Sequence, residues 1–460
     1  MKRSALLVSA LLAGCAAYRP LALPTDDALL RDVARLAVDA DRMPDAALAA
    51  HRFDPSDGLD ITEVAMLAVA NNPELRLARA DAGVTRAQAF SAGLLPDPQL
   101  ALGRETAMGS PAGATVAFTA GLTVDIAALL ARSSTHAAAA ADARKSRLDL
   151  LWQEWQTVAK ARLLFVKLDA ITRSQDVLGH QRTLLRQRLD AATRAVERGL
   201  VNSDAATPQL TAYEDANRQW NDQERQRNQA RHDLDALLGV APEVTLRLVG
   251  PADVGTMDAD QVRAAIAESP RRRPDLLALQ AGFEAQDDRY RGALRAQFPA
   301  ITVGPTRARD TSDVNTAGFS LGITLPLFNR NRGNIAIESA TRDKLRIDYQ
   351  QRLDATAVES HRLLDEQAIL RRQLAEIDAS LPALALAAER AGKAYAASNI
   401  DALALTNVEG ALLARRLERI AAQQALQEQA IALQALLGTH LNLPEGADRA
   451  TGVHPGEKTS

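Results

Sequence analysis

From residue 115 to 125, Val116, Phe118, Ala120, Leu122 and Val124 alternate with Thr115, Ala117, Thr119, Gly121, Thr123 and Asp125. Ala317, Phe319, Leu321, Ile323 and Leu325 alternate in the same way with Gly318, Ser320, Gly322, Thr324 and Pro326. One apolar and one small or hydroxyl-bearing face at period two predicts strands. About 10 residues is also the length a tilted strand needs to cross a bilayer. The same periodicity fits a soluble sheet with one buried face. Shorter, less regular partners fall at 100–105 and 301–309, and the segments 108–113 and 310–315 read as loops.

The rest of the chain is helical in pattern. No proline interrupts it between Pro111 and Pro208, and a helix is predicted over 128–198, which at 1.5 Å per residue would be ~105 Å long. Leu148, Leu151, Trp152, Trp155, Val158 and Ala159 mark one apolar stripe, with both tryptophans as packed seam residues. Leu426, Ala430, Leu433 and Leu437 step by 4, 3 and 4, the spacing of knobs-into-holes packing. A second long helix over 333–397 contains Pro382, where it should kink or break.

These patterns occur twice. Asn72-Pro73-Glu74-Leu75 returns as Arg273-Pro274-Asp275-Leu276, the two prolines 201 residues apart. Phe118-Thr119-Ala120-Gly121-Leu122-Thr123 returns as Phe319-Ser320-Leu321-Gly322-Ile323-Thr324, also 201 apart, and Leu237-Leu238-Gly239 as Leu436-Leu437-Gly438, 199 apart. A period this long excludes a solenoid and implies two tandem copies of one supersecondary unit. In each, a helix (73–95, 274–297) opens with proline and an acid, as N-termini prefer. Two strands, a long helix, a break and a second helix follow, the last ending at a glycine suited to a C-cap.

Composition narrows the class. The chain is 47% hydrophobic but only 3% aromatic, which suits long packed helices better than an enzyme core. A net charge of −3 gives no reason to invoke nucleic acid. Beyond the N-terminus no apolar run reaches the roughly 18 residues of a spanning helix, which leaves a closed barrel as the way to span lipid. Four strands cannot close one by themselves, so spanning would require several chains. The seven histidines are scattered, without ligand spacing, and phosphate loops and nucleophile elbows are absent. The sequence therefore predicts no enzyme, no cofactor and no metal site. Arg271 to Arg273 suggest an anion site or, more simply, a solvated helix start.

Lys2, Arg3 and the apolar run 5–12 form an export signal ending in Leu12-Ala13-Gly14-Cys15. That ending resembles the bacterial lipobox, which implies cleavage before a lipid-modified Cys15; an ordinary signal peptide with an incidental cysteine is the alternative. Ala16, in place of the aspartate that retains lipoproteins at the inner membrane, points to the outer membrane. Cys15 is the only cysteine, so no disulfide forms within one chain. The expected organisation is a signal peptide at 1–14, a lipidated N-terminal arm at 15–58, repeats at 59–250 and 251–445, and a disordered tail at 446–460.

Asn72 to Leu75, Leu95-Pro96, Arg273 to Leu276, Phe298-Pro299-Ala300-Ile301 and Leu325-Pro326-Leu327-Phe328-Asn329-Arg330-Asn331-Arg332-Gly333 together resemble the TolC-like outer-membrane factor family. The likeness covers 59–441, and the stretch 329–333 is similar to its heavy-metal efflux branch. It implies a mainly α fold with a small β part. The duplicated helix–β-hairpin–long helix–helix unit would form a homotrimer with an α-helical barrel and a twelve-stranded transmembrane β-barrel, four strands per chain. The implied function is the outer-membrane channel of a tripartite efflux system for metal ions or drugs. The implied partners are outer-membrane lipid, a periplasmic adaptor (membrane fusion protein) and an inner-membrane pump of the resistance-nodulation-division type. Its adaptor-docking tips would be Gly199, Leu200, Val201 and Asn202, and Ser398, Asn399 and Ile400, with Ser398 where the family usually has glycine. Turns without a partner are the plainer reading of both. The positions matching the family's aspartate gate are Ala404 and Asn407, so no such gate is expected. Asp204 and Asp401 are candidates for acidic rings in the lumen, or for N-caps of the returning helices. A periplasmic coiled-coil lipoprotein scaffold or adaptor without a pore is the competing function.

Overall fold

The computed structural model describes residues 18–33, 38–39, 43–109 and 113–439; Cys15 with the signal segment and the tail at 446–460 lie outside them. In chain order the described elements are α1 (Ala46–Ala50), α2 (Ile61–Asn71), α3 (Pro73–Ala92), β1 (Gln99–Glu105), β2 (Ala117–Asp125), α4 (Ile126–Glu197), a 3-10 turn (Ser203–Ala205) and α5 (Thr207–Leu238). The second half repeats this plan: α6 (Ala259–Arg272), α7 (Pro274–Arg295), β3 (Ala300–Arg309), β4 (Asn315–Thr324), α8 (Arg332–Ala396) and α9 (Ala402–Leu437).

Each half begins one helix earlier than the sequence reading had it. Asp60 caps α2 in a reciprocal box with Glu63, and Asp258 caps α6 in the same way with Gln261. A single residue then joins α2 to α3 and α6 to α7, and it serves both helices. Asn72 closes α2 with its N–H to Ala68 O, while its side chain accepts from Leu75 N to open α3. Arg273 holds the equivalent place, with its N–H to Ser269 O. The pyrrolidine of Pro73 or Pro274 costs nothing there, because a first-turn N–H has no helical partner.

The elements form a wall four elements wide. The antiparallel sheet has the order β1-β2-β3-β4. Below it α3, α4, α7 and α8 pack side by side in the same lateral order, and lower still the order is α5, α4, α9, α8. At 72 and 65 residues, α4 and α8 run about 108 and 98 Å. The main core lies where α2 packs on α4 and α5: Val64 to Val69 meet Val158, Phe165, Leu168, Leu234 and Leu238. The chain before α2 is pinned to the segment after α5 by parallel bridges, Leu30 to Val240 and Leu59 to Leu248. Trp155 is buried in the α4–α9 seam and donates its indole N–H to Ala435 O at 2.9 Å. Gly239 and Gly438 end α5 and α9 in left-handed conformation at φ 61° and 64°.

The break expected at Pro382 does not occur. Helix α8 runs unbroken through Pro382. Proline removes the N–H that would meet the carbonyl of Asp378, but α9 braces this turn from outside. Arg419 Nε reaches Asp378 Oδ1 at 2.6 Å, and Arg415 Nε reaches Ser380 Oγ at 2.9 Å. Packing against a neighbouring helix compensates for the one lost backbone bond.

Candidate functional site

Neither face of the sheet is buried on its own chain. Pairing Leu100 with Leu122, Ala120 with Arg307, and Ile301 with Ile323 puts alternate residues of all four strands on common faces. One face carries Leu100, Leu102, Phe118, Leu122, Ile301, Phe319, Leu321 and Ile323, all exposed. The other carries Ala101, Gly103, Thr119, Gly121, Thr302, Gly304, Ser320 and Gly322. The small face lets strands approach closely. A Cβ on Gly304 would lie 1.6 Å from Leu122 O, beside Pro305, which has no N–H to give the ladder. The apolar parity breaks only at the end farthest from the helices, where Arg104, Arg307 and Arg309 fall on it. They are why the partner strands look irregular in sequence, and the period-two count could have found them.

Both lateral edges of the wall are open. Among the described residues β1 and β4 each lack a second neighbour, and the helices beneath them expose apolar side chains: Leu77, Val84 and Phe90 on α3, and Ile337, Ile347, Val358 and Ile369 on α8. Ile347, Val358 and Ile369 are spaced 11 apart, so they form one stripe along α8, with Ile337 about 80° around the helix from it.

At the opposite end from the sheet, the chain turns twice. Gly199 N–H bonds Val196 O and Leu200 N–H bonds Ala195 O, each at 2.9 Å; Ser398 N–H bonds Tyr395 O at 2.9 Å and Asn399 N–H bonds Ala394 O at 2.8 Å. Both are left-handed helix ends with the same bonding. Leu200 and Val201 are exposed, and Ile400 is half-buried. Asp401 caps α9, its carboxylate accepting from Ala404 N at 2.7 Å. Asp204 is exposed within the 3-10 turn and does not cap α5, whose N-cap is Ala206. Just above the turns the two halves are clamped by Arg188 of α4 and Glu409 of α9, which pair through both guanidinium nitrogens.

Arg273 is not part of a solvated helix start. It is 1% exposed and pairs with the Asp275 carboxylate through Nε at 3.0 Å and Nη2 at 2.6 Å. A third nitrogen donates to Thr356 of α8, and the guanidinium lies 5.2 Å from the Trp152 ring. Short sequence spacing gives Arg-x-Asp but not its burial. His51, Asp60 and Glu63 also come together, within 4.8 Å of one another. Both Glu63 oxygens accept backbone N–H groups, from Asp54 and Asp60, so the cluster is explained by helix capping.

Two carboxyls, Glu154 half-buried and Asp235 buried, are pushed above the usual range. Desolvation raises Glu154, against the pull of Arg79 at 2.8 Å. Burial also raises Asp235, since Arg231 and His232 stand off at 3.8 and 4.0 Å and neither oxygen has a hydrogen-bond partner.

Residues 265–439 match the outer membrane efflux protein family. Among solved structures, the CmeC outer membrane channel of Campylobacter jejuni has a TM-score of 0.72 at 15% identity, covering 94% of this chain and 97% of that one. The outer membrane protein VceC of Vibrio cholerae has a TM-score of 0.71 at 14% identity, covering 86% and 99%. CusC, described for its folding and transmembrane channel formation, has a TM-score of 0.70 at 17% identity, covering 86% and 97%. Comparison with curated protein sequences gives no match.

Proposed function

We propose that this chain, a TolC-like outer-membrane factor, is the outer-membrane channel component of a tripartite efflux system. It passes small substrates, metal ions or drugs, through the periplasm to the exterior, and it performs transport rather than catalysis. The observation that carries this reading is the wall with two free edges along its whole length. A sheet in lipid must satisfy every backbone group, so β4 of one chain needs β1 of the next. Three copies of four strands close a barrel, and the stripe on α8 meets the exposed side of α3 and α5 on its neighbour. The apolar sheet face then turns to lipid, and the small, hydroxyl-bearing face lines the water path.

The finer assignments follow from position. Gly199, Leu200, Val201, Asn202, Ser398, Asn399 and Ile400 form the two turns at the end opposite the sheet, where a periplasmic adaptor would dock and hand over from a pump of the resistance-nodulation-division type. Asp204 and Asp401 are both exposed beside those turns, and three-fold symmetry would make each a ring of negative charge. The two repeats at 59–250 and 251–445 supply equivalent halves of the wall. Lipid on Cys15 would tether an arm whose described part is pinned at Leu30, aiding sorting and assembly while the strands span.

Purified mature protein in planar bilayers tests the reading. Discrete conductance from heat-labile trimers is expected. A strictly monomeric or non-conducting species would favour a pore-free scaffold.

A further inference from the structure

We infer that the rim of the sheet farthest from the helices is a binding site for phosphorylated glycolipid of the outer leaflet, built from Arg104, Arg307 and Arg309. The inference rests on the channel reading, which turns this face to lipid. In register, Arg104, Phe118, Arg309 and Asn315 form one row across the four strands; Leu102, Ala120, Arg307 and Ala317 form the row below. Neighbouring strands lie about 4.8 Å apart and alternate residues about 7 Å apart, so Cα atoms of Arg104 and Arg309 lie about 10 Å apart, those of Arg307 and Arg309 about 7 Å, and those of Arg104 and Arg307 about 12 Å. All three side chains are exposed. Beneath them the face is apolar down to Leu100, Ile301 and Ile323.

That arrangement has a chemical consequence. Arginine in the apolar middle of a membrane is costly, whereas at its edge a guanidinium can reach the headgroups and bind phosphate through paired N–H donors. The acidic groups at this end are few. Asp313 takes up Arg309 Nε at 2.6 Å, Asp310 accepts the Ser312 and Val314 N–H groups, and Glu105 falls on the opposite face. Among the described residues Arg104 and Arg307 have no anionic partner. Phe118 stands between Arg104 and Arg309 in the row, an apolar contact for the chain of a lipid whose phosphate the arginines hold. Three-fold repetition makes three such sites. No arginine or lysine occurs elsewhere on the apolar face of the four strands, so the charge is confined to one membrane boundary.

The test compares wild-type trimers with an Arg104→Gln/Arg307→Gln/Arg309→Gln variant. Both are reconstituted in phospholipid vesicles holding either a bisphosphorylated glycolipid or its dephosphorylated form. Lipid retained per trimer is read by native mass spectrometry, and conductance is recorded in parallel. Wild type should retain the phosphorylated form about 30-fold better, and the variant should lose that preference while still conducting. An Arg→Lys triple should keep part of it. Equal retention of both lipids by wild type, or undiminished preference in the glutamine variant, overturns the inference. So does displacement of the lipid by millimolar inorganic phosphate, which would mark a free-anion site. Failure of wild type to form conducting trimers would instead count against the channel reading.

Discussion

Gly199 and Ser398 hold the same left-handed backbone position in the two turns, at φ 68° and 58°. Each is followed by a residue whose N–H reaches back to the last helical turn. The two halves thus make one turn with two different residues, and a side chain with a Cβ is strained there where glycine is not.

Ser398→Gly should therefore stabilise the chain by about 1 kcal/mol, and Gly199→Ser should destabilise it by a similar amount. Thermal unfolding followed by circular dichroism reads both. No change in either direction would mean that the turns relax without strain.

Arg273→Ala should be far more damaging. It leaves the Asp275 carboxylate buried, with only Arg352 at 3.4 Å to offset it. Breaking a buried pair of this kind costs roughly 3–5 kcal/mol. Thr356→Val removes two hydrogen bonds, one accepted from Arg273 and one donated to Arg352 O, and should cost about 2 kcal/mol. Denaturation of the two variants side by side checks the ranking; equal losses would contradict it.

Asp235 gives a pH dependence. Its carboxyl is raised by burial, so the folded chain holds the proton more tightly than the unfolded chain does. The charged form then costs stability above the folded pKa, and that cost is relieved as pH falls through it. Asp235→Asn should melt higher than the parent at about pH 8, with the gap closing at about pH 4. A gap that is the same at both pH values would assign the effect to packing.

Gly304→Ala should abolish trimers and conductance while leaving helical content in place, because the new Cβ meets a neighbouring strand's backbone carbonyl rather than a movable side chain. Gly121→Ala, whose Cβ would stand 3.6 Å from Thr306 Cγ2, should be tolerated. If the Gly304 variant assembles normally in detergent, the close strand approach is not needed for closure.

Much of the fold was written in local periodicity. The alternation around Phe118 and Phe319 set strand faces, the proline-free run set α4, and glycines after Leu238 and Leu437 set helix ends. These depend only on the stereochemistry of neighbouring residues and on two repeat lengths. The duplication made the order of elements legible as well, and with it the two turns. The sequence did not reveal α2 and α6 as partners of the proline-led helices, since one residue, Asn72 or Arg273, joins each pair without a visible break. Nor could it tell that Arg273 is buried, that Asp235 has no hydrogen-bond partner among the described residues or that α8 continues through Pro382. The first and the last are decided by side chains brought in from distant segments: Thr356 and Trp152 around Arg273, Arg415 and Arg419 around Pro382. Even the three arginines of the outer rim became one site only through strand register, because residues 104 and 309 share a row by pairing across β2 and not by any nearness along the chain.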